Sequence, residues 1–362
     1  LETYIVNILH VLDRDHFKVS IACADELSDW YKTELDSLGV LTHLCPNPYS
    51  QVGYVRRMGQ LMRKLNTQVV CDFRNDFSAP TLWVAKRLGI EGRIAMYRSS
   101  RRGFAPGMLR NGYAHLMHMG TARWASRIVG NTRQVLDAFY PKSAQDARFS
   151  VLHNGVDLKK FSPDRSGLQV RRELDIPAER FVIGHVGRFM RAKNHGVILK
   201  CFRKFAEQVP SAHLLLVGEG DLRGQIEATV VEYGLSERVT LSGRRKDVPD
   251  LLAAMDLFFY PSVYEGLPNA LLEAMAAGVP VIASSIPEIV EIFDPHLSGQ
   301  LYETDDVDGM VRGLVALYDD RELRADLGRR LRRWVSAHFS LAASAEKMTR
   351  LWTADLGRGE PV

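Results

Sequence analysis

A chain of 362 residues with 46% hydrophobic and 25% charged residues is too long for one core and has the composition of a globular protein of two ordinary domains. No apolar run approaches the roughly 20 residues that span a bilayer as a helix, and the opening Leu1-Glu-Thr-Tyr4 has none of the sections of a secretory leader. The net charge of +4 conceals an asymmetry: residues 1–155 carry 20 Lys and Arg against 13 Asp and Glu, a balance of +7, and the remainder stands at −3. A basic first half suits phosphate groups or an anionic membrane surface. Nucleic acid is disfavoured as a partner, because no basic stretch interleaved with aromatics and no nucleic-acid-binding module can be found. Cys23, Cys45, Cys71 and Cys201 lack C-x-x-C spacing and read as buried free thiols of a reducing compartment, not as a zinc site.

In chain order, residues 2–12 have helical spacing, with Tyr4, Ile5, Ile8, Leu9 and Leu12 on one side. Strands are predicted at 17–23, 40–43, 68–71, 93–97, 126–129 and 149–152, with helices at 25–38, 52–65 and 108–123. Within the second helix, Met58, Leu61, Met62 and Leu65 alternate with Arg56, Arg57, Arg63 and Lys64, a basic amphipathic pattern compatible with core packing or with peripheral membrane attachment. Residues 154–167 form a linker rich in Pro, Gly, Asp and Ser. Further strands are predicted at 181–186, 212–217, 239–241, 257–260 and 279–282, and successive helices over 305–356. Asp305-Asp306 and Asp319-Asp320 fall at helix starts or turns and read as caps. This alternation predicts an α/β protein whose parallel sheets are covered on both faces.

The most informative segment is Glu265-Gly-Leu-Pro-Asn-Ala-Leu-Leu-Glu273, which follows an apolar strand and a turn-rich Pro261-Ser-Val-Tyr and sets two carboxylates eight positions apart. Helix is expected from Leu267 to about Gly278, putting Glu273 about two turns in. Strand, loop and helix aim unpaired backbone N–H groups at a phosphate, and a carboxylate inside the helix reaches a ribose diol. Gly187-Arg-Phe-Met-Arg-Ala-Lys193, Val217-Gly-Glu-Gly220, Leu241-Ser-Gly-Arg244 and His153-Asn-Gly-Val-Asp157 with Phe161 occur in matching order.

Together these segments resemble the retaining glycosyltransferases of family 4 (glycosyl transferases group 1), densely over residues 151–340 and thinly before. The resemblance implies the GT-B fold: two facing Rossmann-like domains with a cleft between them. It implies an N-terminal acceptor domain at 1–155, a nucleotide-sugar domain at 156–340, and a last helix within 341–362, at 341–352, crossing back to the first domain. Relatives have a strand and a G-G-x-E loop just before the first helix. Here only Leu1-Glu2 remains, so the expectation is a chain lacking that strand and loop.

Carried over residue by residue, Arg188 and Lys193 supply fixed charge to the leaving diphosphate in place of a metal, so neither metal nor cofactor is expected. An isolated Arg-x4-Lys would otherwise read as a solvated basic turn. Glu265 resembles the residue beside the donor sugar and Glu273 the ribose-binding carboxylate. Gly266, Leu267, Pro268 and Asn269 would present backbone donors, Gly218 and Gly220 would let backbone approach the ligand, and Ser242 and Arg244 would line the base pocket. On the acceptor side the usual histidine stretch is replaced by Tyr97, Arg98, Ser99 and Ser100, so no histidine carries over. Arg74, Tyr97, Arg98, Ser99, Arg101 and Arg102 are the candidate acceptor contacts, with Phe104 and Met108 as apolar neighbours.

The implied activity is retaining, metal-independent transfer of a sugar from a nucleoside-diphosphate sugar, UDP favoured, to a hydroxyl of a glycan or lipid-linked acceptor. Its setting would be surface polysaccharide or glycolipid synthesis in the cytoplasm or at the cytoplasmic face of the inner membrane. Two alternatives remain open at this point: a GT-B-fold epimerase or phosphorylase, and a catalytically silent nucleotide-sugar-binding scaffold.

Overall fold

Six parallel strands make up the sheets of the first half: β1 (Ser20–Cys23), β2 (Leu41–Leu44), β3 (Val69–Asp72), β4 (Gly92–Tyr97), β5 (Arg127–Gly130) and β6 (Phe149–Val151). They belong to a computed structural model that describes residues 2–45, 51–99, 108–161, 165–354 and 356. Strands β1 and β2 pair with each other, and β3 to β6 form a sheet in chain order. The chain divides into two compact units, the first comprising Leu1–Gly155 with Leu341–Val362 and the second Val156–Ser340.

In the first unit, helix Glu2–Val11 and helix Leu341–Thr353 share a core with the main sheet, where Tyr4, Ile8, Met348 and Leu351 pack with Ile94, Met96 and Leu152. Helix Ala79–Arg87 was not anticipated, and its burial explains why: Ala79, Leu82, Val84 and Ala85 are all buried, leaving no polar stripe to reveal a helical period. Helix Arg133–Phe139 was also missed, being only seven residues long and started by a Thr132 side chain that accepts from the Val135 N–H. On helix Gln51–Lys64, Tyr54, Met58 and Met62 are buried against Val84, Ala85 and Ile90, so the apolar stripe is core, while Arg56, Arg57, Arg63 and Lys64 are exposed. Of the four free cysteines, Cys45 and Cys201 are buried and Cys23 and Cys71 half-buried.

The second unit has one parallel sheet built from β7 (Phe181–Val186), β8 (Ala212–Val217), β9 (Val239–Gly243), β10 (Leu257–Tyr260), β11 (Val281–Ser284) and β12 (Leu301–Tyr302). Their spatial order is β12-β11-β10-β7-β8-β9. The near-continuous apolar runs of β7, β8 and β10 are those of strands covered on both faces. Strand β12, of two residues, is too short to leave a pattern. The chain winds outward from β7 to β9 and resumes at β10 on the other side of β7. That reversal makes a topological switch point between β7 and β10, where α/β sheets bind ligands beyond the strand ends. Asp306 caps helix Val307–Asp319 through the Gly309 N–H, and Asp320 caps helix Arg321–His338 through the Leu323 N–H, each at 2.8 Å. The Val156 N–H donates to the Phe339 carbonyl at 2.8 Å, and Val156 bridges Ser340. The two places where the chain passes between units are therefore side by side.

Candidate active site

Strands β7 and β10 run in parallel and deliver two loops to the switch point. The first carries Gly187 to Met190 and a tight turn, Arg191–Lys193, before helix His195–Gln208. The second runs from Pro261 to Pro268 and leads into helix Asn269–Ala276. The two loops meet in an ion pair: Lys193 Nζ lies 2.6 Å from Glu265 Oε1, with side-chain exposures of 14% and 11%. Lys193 also donates to the Tyr260 phenol oxygen and lies 4.7 Å from that ring's centroid. The Tyr260 O–H in turn donates to the same Glu265 oxygen at 2.9 Å. Burial, and then the charge on Glu265, hold the Tyr260 pKa well above its ordinary value, which keeps the phenol a proton donor.

Beneath this triangle, His185 from β7 is fully buried, with Nδ1 2.9 Å from the Phe259 carbonyl and its ring 5.6 Å from that of Tyr260 at 26°. Its neighbour His195 is buried with its ring 5.2 Å away. Burial holds His185 well below the usual imidazole value and pushes His195 down to about 4, with Lys193 adding to both, so both rings are neutral. Sequence reasoning missed Tyr260, His185 and His195. The available signal was an imidazole inside the otherwise apolar strand FVIGHV.

Glu273 lies in the second turn of its helix, nearer the start than expected, because the helix begins at Asn269 and not at Leu267. Its neighbours Leu272, Ala274 and Met275 are fully buried, and burial pushes its half-buried carboxyl up to about 7, with Lys160 pulling the other way. Lys160, on the turn Leu158–Phe161, is a further residue the motif reading overlooked. Leu267 and Pro268 are buried and Asn269 is exposed at the head of the helix, its own N–H bonded to the Leu267 carbonyl at 2.9 Å.

The glycines of the loop after β8 have a definite steric reason. A Cβ on Gly218 would lie 2.0 Å from the Gly187 carbonyl oxygen, and one on Gly220 would lie 2.4 Å from that of Phe189. The same loops are knit by Phe189 N–H to Glu219 O at 2.8 Å and Leu222 N–H to Phe189 O at 3.1 Å. The glycines thus let one loop press against the loop that carries Arg188. Arg188 itself is exposed and has no side-chain hydrogen bond or ion pair among the described residues. Ser242 is half-buried at the end of β9, and Arg244 is exposed just beyond it.

The candidate acceptor residues fare differently. Tyr97 is fully buried, donating to Asp76 Oδ1 at 2.7 Å and lying 2.8 Å from the Tyr140 hydroxyl, so it is a core residue and not an acceptor contact. His118 Nδ1 lies 2.9 Å from the same Asp76 oxygen, completing a buried polar cluster. Arg74 is committed to Asp72, with Nη2 2.6 Å from Oδ2 and Nε within 3.2 Å of both oxygens, and to Thr81. Its guanidinium is thus tied to its own unit, against the expectation of an acceptor contact. Arg98 stacks its guanidinium 4.1 Å from the Tyr4 ring centroid and donates to Asn154, leaving Nη1 buried without a partner. Ser99 is exposed, and Arg101, Arg102, Phe104 and the Met108 side chain lie outside the described residues.

Residues 168–334 match the family model described as glycosyl transferases group 1. That stretch contains every donor-side candidate from Arg188 to Glu273. The chain is 31% identical over 209 residues to the Escherichia coli UDP-Gal:alpha-D-GlcNAc-diphosphoundecaprenol alpha-1,3-galactosyltransferase, covering 57% of this chain and 54% of that protein. It is 32% identical over 189 residues to the Bacillus anthracis N-acetyl-alpha-D-glucosaminyl L-malate synthase, covering 52% and 49%. The chain spans about half the length of the curated relatives it matches. Among solved structures, Anabaena HepE in complex with UDP superposes with a TM-score of 0.83 at 18% identity, over 98% of this chain and 96% of that one. At that identity the likeness is one of fold, and the fold is GT-B.

Proposed function

We propose that the protein is a retaining, metal-independent glycosyltransferase that moves a sugar from a nucleoside-diphosphate sugar to a hydroxyl of a glycan or lipid-linked acceptor. The observation that carries this reading is the Lys193–Glu265 pair at the β7/β10 switch, with Glu273 on the helix that follows. A diphosphate there meets the fixed charges of Arg188 and Lys193, which stabilise the leaving group as the glycosidic bond breaks. Glu273, when ionised, accepts from both ribose hydroxyls. Glu265 lies beside the sugar, where its charge stabilises the developing oxocarbenium ion. The departing phosphate oxygen takes the acceptor proton on the same face of the ring, which retains the anomeric configuration.

A UDP-sugar is favoured as donor, because the E. coli relative is named for UDP-Gal and the Anabaena structure contains UDP. The acceptor is assigned to the first unit, where Arg98 keeps a buried donor unpaired. The diphosphoundecaprenol acceptor named for the E. coli relative supports a lipid-linked substrate in surface polysaccharide or glycolipid synthesis. We place the protein at the cytoplasmic face of a membrane, held through the exposed bases of helix Gln51–Lys64.

Calorimetric titration of UDP-glucose, UDP-galactose, UDP-N-acetylglucosamine, GDP-mannose and ADP-glucose, without added metal, tests the donor assignment. One of them should bind, and Lys193→Ala should weaken it by about 1.5–3 kcal/mol, the range for a charge-assisted hydrogen bond. No binding by the folded protein, or equal binding by the variant, would sink the assignment.

A further inference from the structure

Lys193 cannot serve a diphosphate and keep its pairing with Glu265 unchanged. Both side chains are nearly buried, so each depends on the partner it has. Glu265 Oε1 accepts from Lys193 Nζ at 2.6 Å and from the Tyr260 O–H at 2.9 Å, and the Tyr260 oxygen accepts from Lys193. Tyr260 is fully buried, and the ring of His185 behind it, anchored to the Phe259 carbonyl at 2.9 Å, fixes its plane. The phenol therefore stays with Glu265 when Lys193 moves.

We propose that the Glu265 carboxylate is an internal competitor of the donor's diphosphate for Lys193, and that Tyr260 is the positioning residue that makes the exchange possible by continuing to hydrogen-bond Glu265 after Lys193 turns to phosphate. The inference rests on the donor-site reading above and adds a regulator of that site. No bond is made or broken in the exchange. One charge-assisted hydrogen bond, Lys193 to carboxylate, is replaced by another, Lys193 to phosphate, and Glu265 keeps the phenol as its donor. A nucleotide lacking the diphosphate has nothing to exchange and is insensitive to Tyr260.

The test is a titration of UDP, GDP and ADP, with uridine, guanosine and adenosine as phosphate-free controls, on wild type, Tyr260→Phe, Glu265→Gln and the double variant. For the diphosphate that wild type binds best, Tyr260→Phe should weaken binding roughly tenfold, the size of one hydrogen bond to a charged group. Binding of the matching nucleoside should be unchanged. Glu265→Gln should bind that diphosphate several-fold more tightly than wild type, because Lys193 is released, and on that background Tyr260→Phe should have no further effect.

Equal diphosphate affinity for wild type and Tyr260→Phe would overturn the proposal, as would parallel losses for diphosphate and nucleoside, the mark of a merely structural phenol. Should Tyr260→Phe not fold, Glu265→Gln decides alone: unchanged or weaker binding overturns the competition. Failure of wild type to bind any of the three diphosphates would overturn the donor-site reading along with this one. Binding by wild type without the variant effects would leave that reading standing and remove only the exchange.

Discussion

Glu273 joins a stability cost to a binding role. Its carboxyl is raised from an ordinary 4.5 to about 7, chiefly by burial, so the folded chain holds that proton more tightly than the unfolded chain. The stability this adds is fully present below about pH 4.5 and is lost as pH rises through about 7. A ribose diol needs the ionised form, so nucleotide affinity should rise roughly tenfold from pH 6 to pH 8. Glu273→Gln should abolish that pH dependence, bind more weakly at pH 8, and unfold at a higher temperature than wild type at pH 8 but not at pH 5. Calorimetry and thermal melts at those pH values check both arms, and a flat wild-type profile would refute the assignment. The spacing of Glu265 and Glu273 and the Arg188/Lys193 motif were legible because each is a fixed offset along one strand–loop–helix unit. Tyr260, five positions before Glu265, read as one more apolar residue of its strand, and His185 and Lys160 were not legible, since a strand imidazole and a lysine more than a hundred positions from Glu273 become neighbours of the motif only once the sheet is assembled.

At the level of elements, the loop after β8 is held by shape. Gly218 has φ 147° and its absent Cβ points at the Gly187 carbonyl, so Gly218→Ala forces backbone apart from backbone. We expect a loss of about 1–3 kcal/mol in urea unfolding, the range for overpacking, together with weaker nucleotide binding as the Arg188 loop is displaced. Unchanged stability would show that the two loops can separate without cost. Strands fully covered on both faces, β7, β8 and β10, were readable to the residue from their unbroken apolar runs. Helix Ala79–Arg87 and β12 were hidden for opposite reasons, the one buried nearly all round and the other only two residues long.

For the whole molecule, the excess of positive charge lies in residues 1–155 and is displayed by Arg56, Arg57, Arg63 and Lys64, whose helix spends its apolar stripe on the core. A surface of this kind attaches by charge alone and should be sensitive to salt. Co-sedimentation with vesicles rich in anionic lipid should exceed that with neutral vesicles, fall steeply between 50 and about 300 mM salt, and vanish when the four bases become Gln. Equal binding to both vesicle types would remove the membrane assignment. The route of the chain has a separate consequence for biogenesis. Residues of the first unit's core, Ile94, Met96 and Leu152 among them, are covered by a helix, Leu341–Thr353, that leaves the ribosome only after all of Val156–Ser340 has been made. At about 5–20 residues per second that is an interval of roughly 10–40 s. During it the earlier-made half stays unfinished while the later-made half, complete in one continuous stretch, folds first, reversing the usual order of synthesis and leaving an apolar face that chaperones would be expected to guard.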